Sequence, residues 1–90
     1  MAIAAIITKI MPASPDVNLD KIKIEAQKRM ESLGAKNISF EIKPIAFGLK
    51  AVMMKMAWPE EKDTNLVEDN LASIPEVSSA VIDDYRRAFG

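Results

Sequence analysis

From Ala2 to Met11 nearly every position is apolar and isoleucine predominates, up to a stop at Pro12. An apolar run of that length bounded by proline predicts a buried central strand. The stretch "PASPDVN" then breaks the chain, with Pro12 and Pro15 stiffening the connection. Asp16 or Asn18 is placed to accept from the first free amides of a helix. Beyond it Leu19, Ile22, Ala26, Met30 and Leu33 recur at three- and four-residue steps, while Lys21, Glu25, Lys28 and Glu31 fall between them. One apolar stripe of that kind predicts a helix lying on a sheet. Gly34 is expected to end it as a left-handed cap.

Ile38, Phe40 and Ile42 next alternate with Ser39, Glu41 and Lys43 up to Pro44, the two-residue period of a strand with one wet face. After Gly48, Val52, Met54 and Met56 share one side and Ala51, Met53 and Lys55 the other. The lysine marks the second side as the one that meets water, and the strand runs to about Trp58. Pro59 and "EEKD" form a loop. Thr64 is expected to cap a second helix with Val67, Leu71 and Ile74 facing inward and Pro75 ending it. "VSSAVIDDYRRAF" closes the chain as a fourth strand with a polar, basic exit. Strand, helix, strand, strand, helix, strand is the split βαβ order. It predicts an α+β, ferredoxin-like βαββαβ sandwich: a four-stranded antiparallel sheet, the first and third strands central, with two helices on one face. That architecture hosts many functions and decides none.

Ninety residues make a single domain, 1–90, since a chain of this size buries only about 60–65 % of its unfolded surface. Twelve basic residues against thirteen acidic ones leave a net charge of −1, which gives no field to hold a phosphate backbone. Cysteine and histidine are both absent. Disulfides and thiolate metal sites are thereby excluded, as is the side chain that most often moves protons near neutral pH. The opening "MAIAAII" carries no basic leader and meets Lys9 soon after, so it is too short for a secretory core or membrane span, and a cytoplasmic protein is expected.

Few constellations carry chemistry. The only glycines are Gly34, Gly48 and Gly90, so neither a phosphate loop nor a dinucleotide fingerprint can be built. The paired acids Glu60-Glu61 and Asp83-Asp84 invite a metal, but neighbouring strand residues point to opposite faces and loop acids are ordinarily solvated. No nucleophile sits beside a base, so covalent catalysis is not expected, and neither a catalytic residue, a metal nor a cofactor is assigned. The aromatic pattern of an RNA-stacking sheet is missing as well. Met53, Met54 and Met56 are soft enough for a recognition surface, though Met54 and Met56 have core parity. Trp58 reads as cover for a core edge.

Two features invite a partner. In "KPIAFGLKA" Phe47 stands between Ala46 and Gly48 inside strand-forming sequence. Either the ring is a core residue on a bulged strand, or Pro44, Ile45, Ala46 and Gly48 shape a stiff tip that offers it to another protein as a hot-spot anchor. At the other end Arg86 and Arg87 are either solubilising charge or two-pronged donors to a partner's carboxylates or phosphates.

The segments "KIMPASPDVNLDKIK", "KPIAFGLKA" and "SIPEVSSAVIDDYRR", in that order, resemble archaeal elongation factor 1-beta, and with it the exchange domain that ends the eukaryotic beta subunit. The resemblance spans essentially the whole chain, and the tip is its most specific element. It implies guanine-nucleotide exchange on elongation factor 1-alpha, with no covalent step, no cofactor, no direct contact with nucleic acid and no membrane. In that family the domain binds the GDP form, the tip ring enters a pocket of the GTP-binding domain, and a basic residue near the carboxyl end reaches the magnesium and phosphate region. Phe47 matches the ring. Arg87 lies opposite the inserted lysine, with arginine in its place and Ala88, Phe89 and Gly90 beyond it. A rival of another class is an ACT-like regulatory domain binding a small ligand at the first strand-helix junction, which here is "MPASPDVN" and lacks the glycine that would bring a backbone amide close.

Overall fold

The computed structural model describes residues 2–89. Met1 and Gly90, which belong to the sequence-based domain 1–90, lie outside the described residues. The element order is β1 (Ile3–Pro12), α1 (Leu19–Ser32), β2 (Lys36–Pro44), a short 3-10 turn (Ala46–Gly48), β3 (Lys50–Pro59), α2 (Asn65–Ala72) and β4 (Val77–Phe89). All strand pairings are antiparallel, in the order β2-β3-β1-β4. The ferredoxin-like architecture expected from the sequence is the one found, with β1 and β3 in the centre.

Strand parity builds the core. Along β1 every second residue is buried, through Ala4, Ile6, Thr8 and Ile10; along β3 Ala51, expected on the wet side, is buried at the strand's start, as is the inward set Val52, Met54, Met56 and Trp58. These meet Ile22, Ala26 and Met30 of α1 and Val67 and Leu71 of α2, so both helices cover one sheet face. Met54 and Met56 therefore fill the core, while Met53 and the exposed Lys55 lie on the opposite, open face. Thr8 is the polar member of the core: its Oγ1 is buried without a hydrogen-bond partner.

The ends of α1 follow from local chemistry. Asn18 Oδ1 accepts from the Asp20 amide at 3.0 Å. At the other end the Ala35 amide donates to the Met30 carbonyl and the Gly34 amide to Glu31, a Schellman closure that needs the left-handed residue at Gly34, where φ is +100°. Lys62 Nζ donates to the Leu33 carbonyl, placing a cation on the negative end of the helix dipole.

Two further local expectations change, both at α2. Thr64 precedes α2 but caps nothing with its side chain; Asp63 Oδ1 accepts from the Asn65 amide at 2.8 Å instead. The reason is that Thr64 is itself already helical, at φ −67° and ψ −19°, whereas a capping side chain acts from extended backbone. Ile74 is buried as expected, but α2 ends at Ala72 and Ile74 lies in the following turn.

β4 carries a bulge that decides where its end points. Thr8 faces Ile82 but Ile7 faces Asp84, so Asp83 is the extra residue. The Ile82 amide at this irregularity is held by Glu68 Oε2 of α2 at 2.9 Å. One inserted residue inverts the side-chain parity of the strand beyond it. Tyr85 and Arg87 consequently lie opposite Ile6 and Ala4 on the helix-covered side, while Asp84 and Arg86 lie opposite Ile7 and Ala5 on the open side.

Candidate partner-binding site

The β2-β3 hairpin closes over a very short loop. Pro44 pairs with Lys50, the Ile45 amide donates to the Leu49 carbonyl at 2.7 Å, and the Leu49 amide donates back to Ala46 at 3.4 Å. The turn inside requires two consecutive left-handed residues, Phe47 at φ +64° and Gly48 at φ +76°. Glycine adopts such angles freely, whereas an L-residue does so at a penalty of about 1–2 kcal/mol.

Phe47 is 94 % exposed. A core ring on a bulged strand is thereby excluded: the side chain is at the apex of the hairpin, in solvent, on strained backbone. Pro44, Ala46 and Gly48 are exposed and Ile45 is half-buried, so the loop holds the ring away from the body of the molecule. Strained backbone under an exposed aromatic residue is an observation from which function is properly inferred. The left-handed backbone serves the turn, but the exposed ring packs against nothing in the isolated fold.

Arg86 and Arg87 do not share the tip's surface. Arg87 sits in the same row as Ala4 and Trp58, and Arg86 in the row of Ala5. The row joining Pro44 to Lys50 is at the other end of β3. Eight residues separate Lys50 from Trp58, a distance of about 26 Å at the rise of a strand, in a molecule whose longest dimension is 41 Å. The two arginines also diverge from one another. Arg86 Nε is 3.0 Å from Asp84 Oδ2 on the open face, whereas Arg87 Nε is 2.8 Å from Glu60 Oε1 in the β3-α2 loop.

These pairings also dispose of the acid pairs as clusters. Glu60 turns toward Arg87 while Glu61 is exposed, and Asp84 turns toward Arg86 while Asp83 occupies the bulge. Phe40 has core parity, packed against the buried cluster. The open-side positions of the two central strands, Ala5, Ile7, Lys9 and Met11 with Ala51, Met53, Lys55 and Ala57, include no ring on which a base could stack. No helix among the described residues is long and apolar enough to cross a membrane.

Residues 5–87 match the EF-1 guanine nucleotide exchange domain, a span that takes in the tip and ends on Arg87. The chain belongs to this exchange-domain family. It is 39 % identical over 80 residues to an "Elongation factor 1-beta" of Methanothermobacter thermautotrophicus, covering 88 % of this chain and 89 % of that protein. To the protein of the same name from Methanocella arvoryzae it is 38 % identical over 82 residues, covering 90 % and 91 %. A more distant relative in Halobacterium salinarum is 28 % identical over 88 residues, covering 97 % and 99 %. The function that accompanies the family is guanine-nucleotide exchange on elongation factor 1-alpha, and the ACT-like alternative is not favoured. Its members are exchange factors rather than catalysts of covalent chemistry.

From the sequence Glu60 counts only as a loop acid, and no local signal reveals its partner. Its relation to Arg87 exists only because β3 and β4 flank β1 in a register that includes the bulge.

Proposed function

We propose that residues 1–90 act as one exchange domain in the cytoplasm, binding the GDP form of elongation factor 1-alpha through two contacts at opposite ends of the sheet, beyond rows that lie about 26 Å apart along β3. The observation that carries this reading is Phe47, a ring 94 % exposed at a left-handed position. Seated in a pocket of the GTPase it contributes about 1.5–3 kcal/mol of apolar burial, equal to roughly tenfold to hundredfold in affinity. Pro44, Ile45, Ala46 and Gly48 hold it in place, so little ordering is left to do on binding.

Arg87 supplies the second contact, from the opposite end of the sheet. Bound GDP is held by backbone amides of a phosphate loop and by the GTPase's own magnesium, so a cation or wedge directed there removes a large electrostatic term. By linkage, a protein that binds the emptied GTPase more tightly than the loaded one weakens nucleotide binding by the same factor, and GTP then refills the site. Such a process needs no nucleophile and no proton shuttle, in keeping with a chain that has neither histidine nor cysteine. Arg86 belongs to the open face and is assigned at most a supporting electrostatic part.

The decisive measurement is release of fluorescent GDP from elongation factor 1-alpha by the unaltered chain and by Phe47→Ala. The unaltered chain accelerates release; the variant needs roughly tenfold to hundredfold more protein for the same acceleration. Equal half-saturating concentrations for the two would refute the docking role of the ring.

A further inference from the structure

Glu60 is an unusual surface carboxylate. Its amide donates to the Ala2 carbonyl at 3.1 Å, and two residues on, the Lys62 amide donates to Pro59 at 3.1 Å. Trp58, wholly buried, donates its Nε1–H to the Lys62 carbonyl at 3.2 Å, and Lys62 Nζ is tied to the end of α1. The loop that carries Glu60 is thus anchored to β1, to the core tryptophan and to a helix terminus. The side chain itself is only 15 % exposed, yet Arg87, its partner at 2.8 Å, remains 78 % exposed.

This asymmetry separates Arg87 from Arg86. The Asp84–Arg86 pair lies within one strand, with side chains 39 % and 79 % exposed, and no second element restrains it. In the Glu60–Arg87 pair the loop that carries the acid is fixed from three directions, the acid side chain is largely buried, and the guanidinium is held at Nε with most of its surface in water. We propose that Glu60 is a positioning residue for exchange: it orders the Arg87 side chain before the partner arrives, aimed outward from the end of the sheet at an anionic oxygen of the nucleotide site. This rests on the exchange reading given above. An arginine ordered in advance loses less freedom on binding, and a planar guanidinium repays correct orientation because it donates in two parallel directions. The carboxylate also neutralises part of the charge being offered. That opposing effect is small here, because attraction between a carboxylate and a solvent-exposed cation is heavily screened, whereas the fixed geometry persists.

The test is a double-mutant cycle on the full chain, using fluorescent GDP release from elongation factor 1-alpha across a concentration series. Variants are Glu60→Gln, Glu60→Ala, Arg87→Ala and each double combination, all checked for an unchanged melting temperature. Either Glu60 substitution is expected to lower the maximal release rate about threefold to tenfold, the loss that accompanies a side chain regaining its rotamer freedom. The half-saturating concentration, set mainly by the tip, is expected to stay within about twofold, and the doubles to be no slower than Arg87→Ala alone. A merely structural role for Glu60 would slow the Arg87→Ala background further, and such multiplication would overturn the proposal. Wild-type rates in both Glu60 variants alongside a slow Arg87→Ala would overturn it too while leaving the exchange reading intact. Wild-type rates in Arg87→Ala would overturn it together with the role of the basic exit, and Phe47→Ala would then report separately on docking at the tip.

Discussion

Phe47 and Arg87 lie at opposite ends of the same sheet: the ring projects beyond the Pro44–Lys50 pair, and the guanidinium sits in the row that joins Ala4 to Trp58. On the proposed reading these are the two contacts, and a rigid body that carries them so far apart touches its partner at two places at once. A wedge with one active end would not need them. The fold sets the spacing, since β3 runs without interruption from one contact to the other.

Independence of the two contacts is the first consequence. Substitutions more than about 7–10 Å apart with no shared partner add in free energy. Phe47→Ala combined with Arg87→Ala should therefore lose exchange efficiency by the product of the single losses, within about twofold. Release assays on the four proteins measure this, and a double variant no worse than the worse single variant would mean that the two ends act on one step.

Gly48→Ala isolates the geometry of the tip from its chemistry. A Cβ there meets no atom within 4 Å, so no clash arises, but φ is +76°. The strain is about 1–2 kcal/mol, and it adds to that already present at Phe47. Urea unfolding should show a stability loss of that size, and exchange should weaken because the turn relieves itself by tilting the ring. A variant of unchanged stability and unchanged exchange would show that the loop tolerates another conformation.

Much of this architecture is legible in the chain. The continuous apolar run of β1, the period-two apolar patterning of β2 and β3 and the 3.6-residue stripe of α1 dictate the fold, because each apolar face has one place to be buried. The tip is legible as an oddity, glycine and alanine around a ring, but its exposure is not, since a bulged core strand has the same spelling. Spacing also cannot reveal the end of β4. There Asp83 enters as an unpaired residue and exchanges the faces of Arg86 and Arg87, an event decided by pairing with β1 and by Glu68 of α2 rather than by local sequence. Asp63 takes the cap from Thr64 for a similarly local reason, the entry angle of the loop.

Thr8 offers a stability test independent of function. Its hydroxyl is buried in the core without a partner, opposite Met54 and Ile82. A buried hydroxyl left unpaired costs about 1–3 kcal/mol, and valine has nearly the same shape. Thr8→Val should raise the free energy of unfolding by about 1 kcal/mol or more in urea, with exchange unaltered. A destabilised variant would place an ordered water or another acceptor at that oxygen.

Trp58 connects the core to the basic end. Its indole fills the space beneath the β3-α2 loop, and its Nε1–H fastens that loop through the Lys62 carbonyl. Trp58→Phe keeps an aromatic ring in the core but leaves a void and frees the carbonyl. Together the lost volume and the lost bond should destabilise the fold by about 2 kcal/mol. Because Glu60 precedes Lys62 in the same loop, the variant should also slow maximal GDP release at temperatures well below its own melting point, with little change in the half-saturating concentration. Lys62→Met supplies the comparison: it removes the cation from the α1 terminus, should cost about 0.5–1.5 kcal/mol, and leaves the indole bond to the Lys62 backbone in place. If Trp58→Phe were to lose stability while releasing GDP at the full maximal rate, the rigidity of this loop would have no part in aiming Arg87, and the link from the buried ring to the exposed guanidinium would be broken.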